Sequence, residues 1–304
     1  MELVYRIYFG WLPLPLTVIA LLCAIFYIFI VSRVIRSKRI GRKCYVILIN
    51  RTIGDILGCI TALTTSFYVL ISKHPNRDIV SLLELFFVAS FWSGMISYVS
   101  ISLLKLYAVW KPIDYREKIT MKRCIYLISL SWIIFALMVV YTLTVTALTK
   151  IPVLNEWSGC KLETCQMSMY RFRNSITVAV YLFTIFVFAI TVTLLKKEQK
   201  TINSFRSNGD ISTKGPRFPL YKLALNVATF GGLNIFYVIW CISMNVTHDG
   251  CFYQRNFSEM QLILAFVRCT LLLRIFVDPV ISFIVDSHVC HLIILLNSFC
   301  FRDN

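Results

Sequence analysis

The sequence predicts an all-α integral membrane protein: a bundle of seven transmembrane helices with the N-terminus outside and the C-terminus inside. Three observations predict it. The 304-residue chain is 58% hydrophobic and only 15% charged, whereas soluble domains are about half apolar and a quarter charged. Its mean hydropathy is +0.73. Apolar runs of about 20 residues, the length of helix that crosses a bilayer, recur along it, and basic residues gather in alternate connections.

The elements follow in order. Ile7 to Ser32 lies uncharged between Arg6 and Arg33. It is too long for a signal-peptide core and no small-residue cleavage pattern follows, so it reads as an uncleaved first helix. Thr52 to Ser72 carries Asp55 alone, and Ile79 to Leu104 carries Glu84 alone. Cys124 to Thr149, Asn174 to Leu195 and Leu223 to Thr247 are uncharged. Met260 to Val285 is apolar but holds Arg268, Arg274 and Asp278. Open strands would leave backbone groups unpaired in lipid, so runs of this length are helices. Residues 1–285 form one bundle, and residues 286–304 a short, apolar cytoplasmic tail in which Cys290 or Cys300 is a candidate for acylation.

Charge gives the orientation. The chain has 31 Lys+Arg against 15 Asp+Glu, a net +16. A soluble protein so basic suggests nucleic acid. Here the cations flank apolar runs, so anionic lipid and topology explain them, and no nucleic-acid partner is expected. The connections after the first, third and fifth runs hold 6, 5 and 7 basic residues, 18 in all, while the opposite side holds 8. The richer side is cytoplasmic. The sequons at Asn245 and Asn256 fall on the outer side and are glycosylation candidates, whereas the one at Asn50 falls on the inner side and stays bare.

Charged groups within a membrane are costly and face the bundle interior. Asp55 and Asp278, the latter followed by Pro279, form a candidate polar switch between the second and seventh helices. They either hold a cation or water network or lock the two helices together. Arg274, one turn before Asp278, suits a local ion pair with it. Glu84 and Arg268 lie nearer the outer side, where they pair across the bundle or line a pocket for a small polar ligand. The outer connections contain Cys160, Cys165 and Cys251 in an oxidising compartment, so a disulfide is expected, with all three pairings open. No Cys/His cluster at metal spacing appears, and no metal or other cofactor is expected. Trp110 and Trp157 lie at interfaces, where an aromatic belt belongs. The third helix runs out of the membrane through Lys105, Leu106 and Tyr107, ends near Pro112, and continues as a basic amphipathic connection past Tyr115.

That last segment resembles the end of the third helix in rhodopsin-like receptors. Tyr107, Ala108, Val109, Pro112 and Tyr115 match the family pattern, and Lys105 and Leu106 replace its acidic residue and arginine. Asp55 resembles the family's second-helix aspartate, Trp132 its fourth-helix tryptophan, and Asp278-Pro279-Val280-Ile281-Ser282-Phe283 its seventh-helix motif with Phe for Tyr. The chain lacks a Cys at the outer start of the third helix, an Asn in the first and the Cys-Trp-x-Pro element in the sixth. With these gaps, its short N-terminus and the run Ile49-Asn50-Arg51-Thr52-Ile53-Gly54-Asp55, it looks like the divergent nematode serpentine chemoreceptors, class Srxa or a relative. The resemblance implies a plasma-membrane receptor for sensory perception and signal transduction. It would detect a small-molecule ligand and couple to a heterotrimeric G protein through the inner loops, without the usual arginine at Leu106.

The alternative is a seven-helix ligand-gated channel or transporter, with Asp55, Glu84, Arg268, Arg274 and Asp278 forming a pathway. Against it, no inverted repeat or matched pair of interrupted helices appears. Enzymatic activity is not expected. His74, His248, His288 and His291 all sit in connections or tail, and neither HExxH nor GxSxG occurs.

Overall fold

The computed structural model describes residues 2–36, 42–207, 220–247 and 252–285, and these contain no strand. Among them, seven helices are long and apolar enough to cross a membrane. We label them α1 (Leu14–Arg36), α2 (Arg42–Ile71), α3 (Arg77–Trp110), α4 (Met121–Lys150), α5 (Met167–Ser207), α6 (Leu220–Val246) and α7 (Phe257–Val285). The chain is an all-helical, multi-pass membrane protein. The helices outrun the uncharged stretches of sequence, because flanking charged residues continue them. The clearest case is α2, which begins at Arg42 and so contains Asn50 and Arg51 rather than starting after them.

Contacts between helix ends define the two faces. At the N face, Arg6 donates to the Ser72 carbonyl at 3.3 Å, the Tyr5 and Phe257 rings meet at 5.9 Å, Lys150 pairs with Asp78, and Asn245 donates to Ser175 at 3.1 Å. The ends of α2, α4 and α6 thus meet the starts of α3, α5 and α7 there. At the opposite face, Tyr115, Ile119 and Met121 pack against Ile47, Ile101, Leu104 and Cys124. Consecutive spanning helices run antiparallel, and so do α2 and α7.

Local chemistry sets the helix ends. Asn76 caps α3 by accepting from the Asp78 N–H at 2.8 Å. Pro112 and Pro152 start the short helices Pro112–Lys118 and Pro152–Ser158, where no N–H is needed. The second of these ends at Gly159, whose φ of 62° is left-handed and suits glycine. Before α1 the chain winds as a π-helix over Arg6–Trp11. Pro13 cannot donate to the Phe9 carbonyl, and the Ser66 hydroxyl of α2 does so instead at 2.8 Å.

The core runs through α3, α5, α6 and α7, with Phe230 of α6 between Tyr98, Tyr181 and Phe188 at 4.5, 5.8 and 6.2 Å. The α2–α3 contact is close because small residues form it. A Cβ on Gly58 would sit 2.7 Å from the Ser90 Oγ, and one on Gly54 would sit 3.5 Å from the Ser93 Oγ. The spacing of Gly54 and Gly58 is the G-x-x-x-G pattern of membrane helix pairs. Buried hydroxyls such as Ser97, Ser102 and Thr142 bond back to carbonyls of their own helices. Most of α4 faces outward, Leu137 being 63% exposed, as suits a lipid-facing helix.

Candidate functional site

Two five-residue segments of one pattern build the site. α2 carries Arg51-Thr52-Ile53-Gly54-Asp55 and α7 carries Arg274-Ile275-Phe276-Val277-Asp278. Residues four apart share a helix face, so each helix presents an arginine and an aspartate one turn apart. The two helices are antiparallel, which sets each arginine opposite the other helix's aspartate. Arg51 pairs with Asp278, and Arg274 donates to Asp55 at 2.6 Å. Within each helix the same ions lie farther apart, at 3.7 Å for Arg51–Asp55 and 3.9 Å for Arg274–Asp278. The result is a closed square of two cations and two anions.

The local Arg274–Asp278 ion pair expected from the spacing is present at 3.9 Å. Arg274 has a closer partner in Asp55 across the bundle, because the antiparallel crossing offers a better-placed carboxylate than its own helix does. The aspartates also leave no net charge to attract a free cation, since two guanidiniums already neutralise them. Arg51 is the member that sequence reasoning left out.

α3 completes the site. The Tyr98 hydroxyl donates to Asp278, and its ring lies under the Arg51 guanidinium at 4.1 Å and within 5.7 Å of that of Arg274. Phe91 lies under Arg274 at 5.0 Å, so the aromatic faces add cation–π attraction. A Cβ on Gly94 would lie 3.5 Å from the Arg274 Nη2, so the missing side chain gives the guanidinium room. The four ions are almost fully enclosed, the most exposed being Arg51, at 11% of its side chain. An unpaired charge here would cost about 3 kcal/mol on insertion scales.

Two cavities of about 10 Å³ flank the square, each about the size for one water. One is lined by Asp55, Ser90 and Arg274 among others, and the second by Tyr27, Arg51, Asp278 and Pro279. The Nη1 of Arg274 is buried without a hydrogen-bond partner among the described residues. Pro279 brings no N–H to the helix turn after Asp278, and Ser282 donates to the Asp278 carbonyl at 2.9 Å.

Asn50, one residue before the square, is 4% exposed. Its Nδ2 donates to Ser97 at 3.2 Å and to Ser131 at 3.1 Å, and its Oδ1 accepts from Trp132 at 2.8 Å. It therefore lies inside the bundle and not in an inner connection, and it is enclosed whichever way the protein faces. Trp132 ties α4 to α2.

The other candidates fall elsewhere. Glu84 and Arg268 pair with each other between α3 and α7, toward the N face. Arg268 lies six residues before Arg274, about 9 Å along a helix, so the bundle has two ionic layers. Lys105, Leu106 and Tyr107 occupy the last turns of α3 at the opposite face, far from the square in sequence. There the Lys111 N–H bonds the Tyr107 carbonyl at 2.9 Å and the Tyr115 N–H bonds the Lys111 carbonyl at 2.9 Å. α3 ends at Trp110 and the next helix begins at Pro112, as the sequence predicts. Trp110 and Trp157 are exposed, as belt residues should be. Of the three outer thiols, Cys160 and Cys165 form a disulfide. Cys251 and the tail 286–304, including Cys290 and Cys300, lie outside the described residues. Asn245 and Asn256 are partly exposed near the N face.

No protein-family model matches the chain. Over 125 residues it is 29% identical to "Uncharacterized protein ZC21.6" of Caenorhabditis elegans. The match covers 38% of this chain and 29% of that protein, under a third of the relative's length.

Proposed function

We propose that the chain is a chemosensory receptor of the G-protein-coupled kind, not an enzyme. It would sit in the plasma membrane with its N face outside and report a small chemical cue to a heterotrimeric G protein at the opposite face. The observation that carries this reading is the charge square. A membrane bundle that only needed stability could use apolar packing here, since replacing a buried ion network with apolar residues is often neutral or stabilising. A network with four charges on two helices, tied by Tyr98 to a third, has alternative pairings and can hold alternative helix positions. Tyr98 also packs against Phe230 of α6, so a shift of α6 reaches the square through one side chain.

Other features support the reading. The basic residues favour a cytoplasmic face opposite the N face, and the resemblance to rhodopsin-like receptors lies at the end of α3 and in α7, that to nematode serpentine receptors in the run 49–55 of α2. A partial relative in a nematode is in keeping with it. The mutual pairing of the square's charges weighs against an open ion pathway. With Leu106 in place of the family's arginine, coupling would run through other side chains at the α3 end, around Lys105, Tyr107 and Tyr115.

Glycan mapping by peptide mass spectrometry of cell-expressed protein tests the orientation. Glycan on Asn245 or Asn256 is the expected result. Both sites bare, together with an N-terminal epitope that antibodies reach only after permeabilisation, would invert the protein. That outcome would sink the receptor reading in favour of a channel.

A further inference from the structure

The ionic layer nearer the N face holds its two partners unequally. Arg268 is 2% exposed, while Glu84 is 18% exposed. The Arg268 guanidinium pairs with Glu84, donates to the Ala62 carbonyl at 3.3 Å, and stacks between the Phe9 and Phe87 rings at 5.4 and 5.1 Å. α2, α3 and the N-terminal stretch therefore fix the arginine. Its Nε–H is nonetheless buried with no acceptor among the described residues. Glu84 is held more loosely: among the described residues it has no ion pair or hydrogen bond apart from Arg268. Above the pair, Tyr5, Phe9, Val69 and Val80 form an apolar cap with Phe257 and Leu264.

We propose that Arg268 anchors a binding site for a small apolar anion, a carboxylate on an aromatic or aliphatic body, and that Glu84 is the internal anion it displaces. The inference rests on the receptor reading above and names the class of cue. A cation buried in a membrane bundle requires a counter-charge. A neutral ligand that moved Glu84 would leave Arg268 unpaired, and a cationic one would have to expel a side chain fixed on three sides. An anion replaces Glu84 without loss of charge balance. A carboxylate binds a guanidinium best through two parallel N–H groups: the Nη1 that Glu84 vacates supplies one, and the Nη2, now on a long 3.3 Å bond to the Ala62 carbonyl, supplies the second. Phe9 and Phe87 receive the apolar body.

The test uses the full chain in phosphatidylcholine nanodiscs with benzoate, benzylamine and benzyl alcohol, which share size and differ in charge. Radiolabelled benzoate binding is read against empty nanodiscs, and the melting temperature is read with all three compounds. The expected result is saturable benzoate binding with a rise in melting temperature that the other two do not give. Glu84→Gln, which removes the competing anion, should bind benzoate about tenfold tighter, a change of about 1.4 kcal/mol. Arg268→Gln should abolish binding; since either single substitution strands a charge, affinities are compared only for variants that run monodisperse in size-exclusion chromatography, and the double variant Glu84→Gln with Arg268→Gln, which strands neither charge, should fold and bind no benzoate. Equal effects of the three compounds, or no gain in affinity in Glu84→Gln, would overturn the proposal. Binding is read without a G protein, so a failure of coupling leaves this result standing. A failure here leaves the coupling assay on the charge square intact.

Discussion

At the scale of single residues, the bundle is organised by charges that its composition makes conspicuous. Asp55, Glu84, Arg268, Arg274 and Asp278 stand out in the sequence because each interrupts an apolar run. Their pairing is harder to read. Spacing within α7 favours Arg274 with Asp278, and only the antiparallel crossing with α2 shows that Asp55 is the nearer partner. Arg51 escapes a reading that starts a span after the last flanking charge, although the repeated Arg-x-x-x-Asp pattern at 51–55 and 274–278 was there to find. Tyr98 and Gly94 give no signal in one sequence, since a tyrosine and a glycine in an apolar run are ordinary. The square makes a sharp prediction. Reversing one Arg/Asp pair, Arg51→Asp with Asp55→Arg, sets like charges against each other. That variant should lose its monodisperse peak in size-exclusion chromatography. Reversing α7 as well, with Arg274→Asp and Asp278→Arg, restores opposite charges at both corners and should recover folded protein. Equal loss in both variants would show that the pairing is not what matters there.

At the scale of elements, helix number and type follow from apolar run length, while boundaries and contacts do not. α2 extends to Arg42 because the bundle accommodates Asn50 and Arg51, through Asn50's bonds to Ser97, Ser131 and Trp132. The α2–α3 contact was legible in principle, since Gly54 and Gly58 form a known small-residue spacing. Gly58→Leu should force α2 and α3 apart at Ser90 and sharply lower the yield of folded protein, whereas Gly232→Leu, where a Cβ meets nothing within 4 Å, should be tolerated. The π-helical stretch before α1 offers a quantitative test. Ser66→Ala removes the hydroxyl that serves the Phe9 carbonyl, and should cost about 1 kcal/mol in thermal denaturation. In a Pro13→Ala background the restored N–H can serve that carbonyl, and the cost of Ser66→Ala should fall toward zero. An unchanged cost would mean that proline is not the reason the hydroxyl is needed.

At the scale of the whole molecule, the fold class was the most legible property, because a seven-span pattern depends on bulk hydropathy and not on any contact. Direction in the membrane is a matter of charge asymmetry, and glycan mapping at Asn245 and Asn256 is its check. The central claim concerns what the bundle does with its buried charges: that the α2–α3–α7 square is the element whose rearrangement signals to a G protein. The measurement that tests it most directly is guanine-nucleotide exchange on purified heterotrimeric G proteins, catalysed by the reconstituted wild-type chain and by Asp278→Asn. The substitution weakens the hold on Arg51 and Tyr98 while keeping size and shape. The account predicts measurable exchange by the wild type and a several-fold change in the ligand-free rate in the variant, with both forms folded. No exchange by either folded form across the G-protein classes, or identical rates in the two, would contradict it.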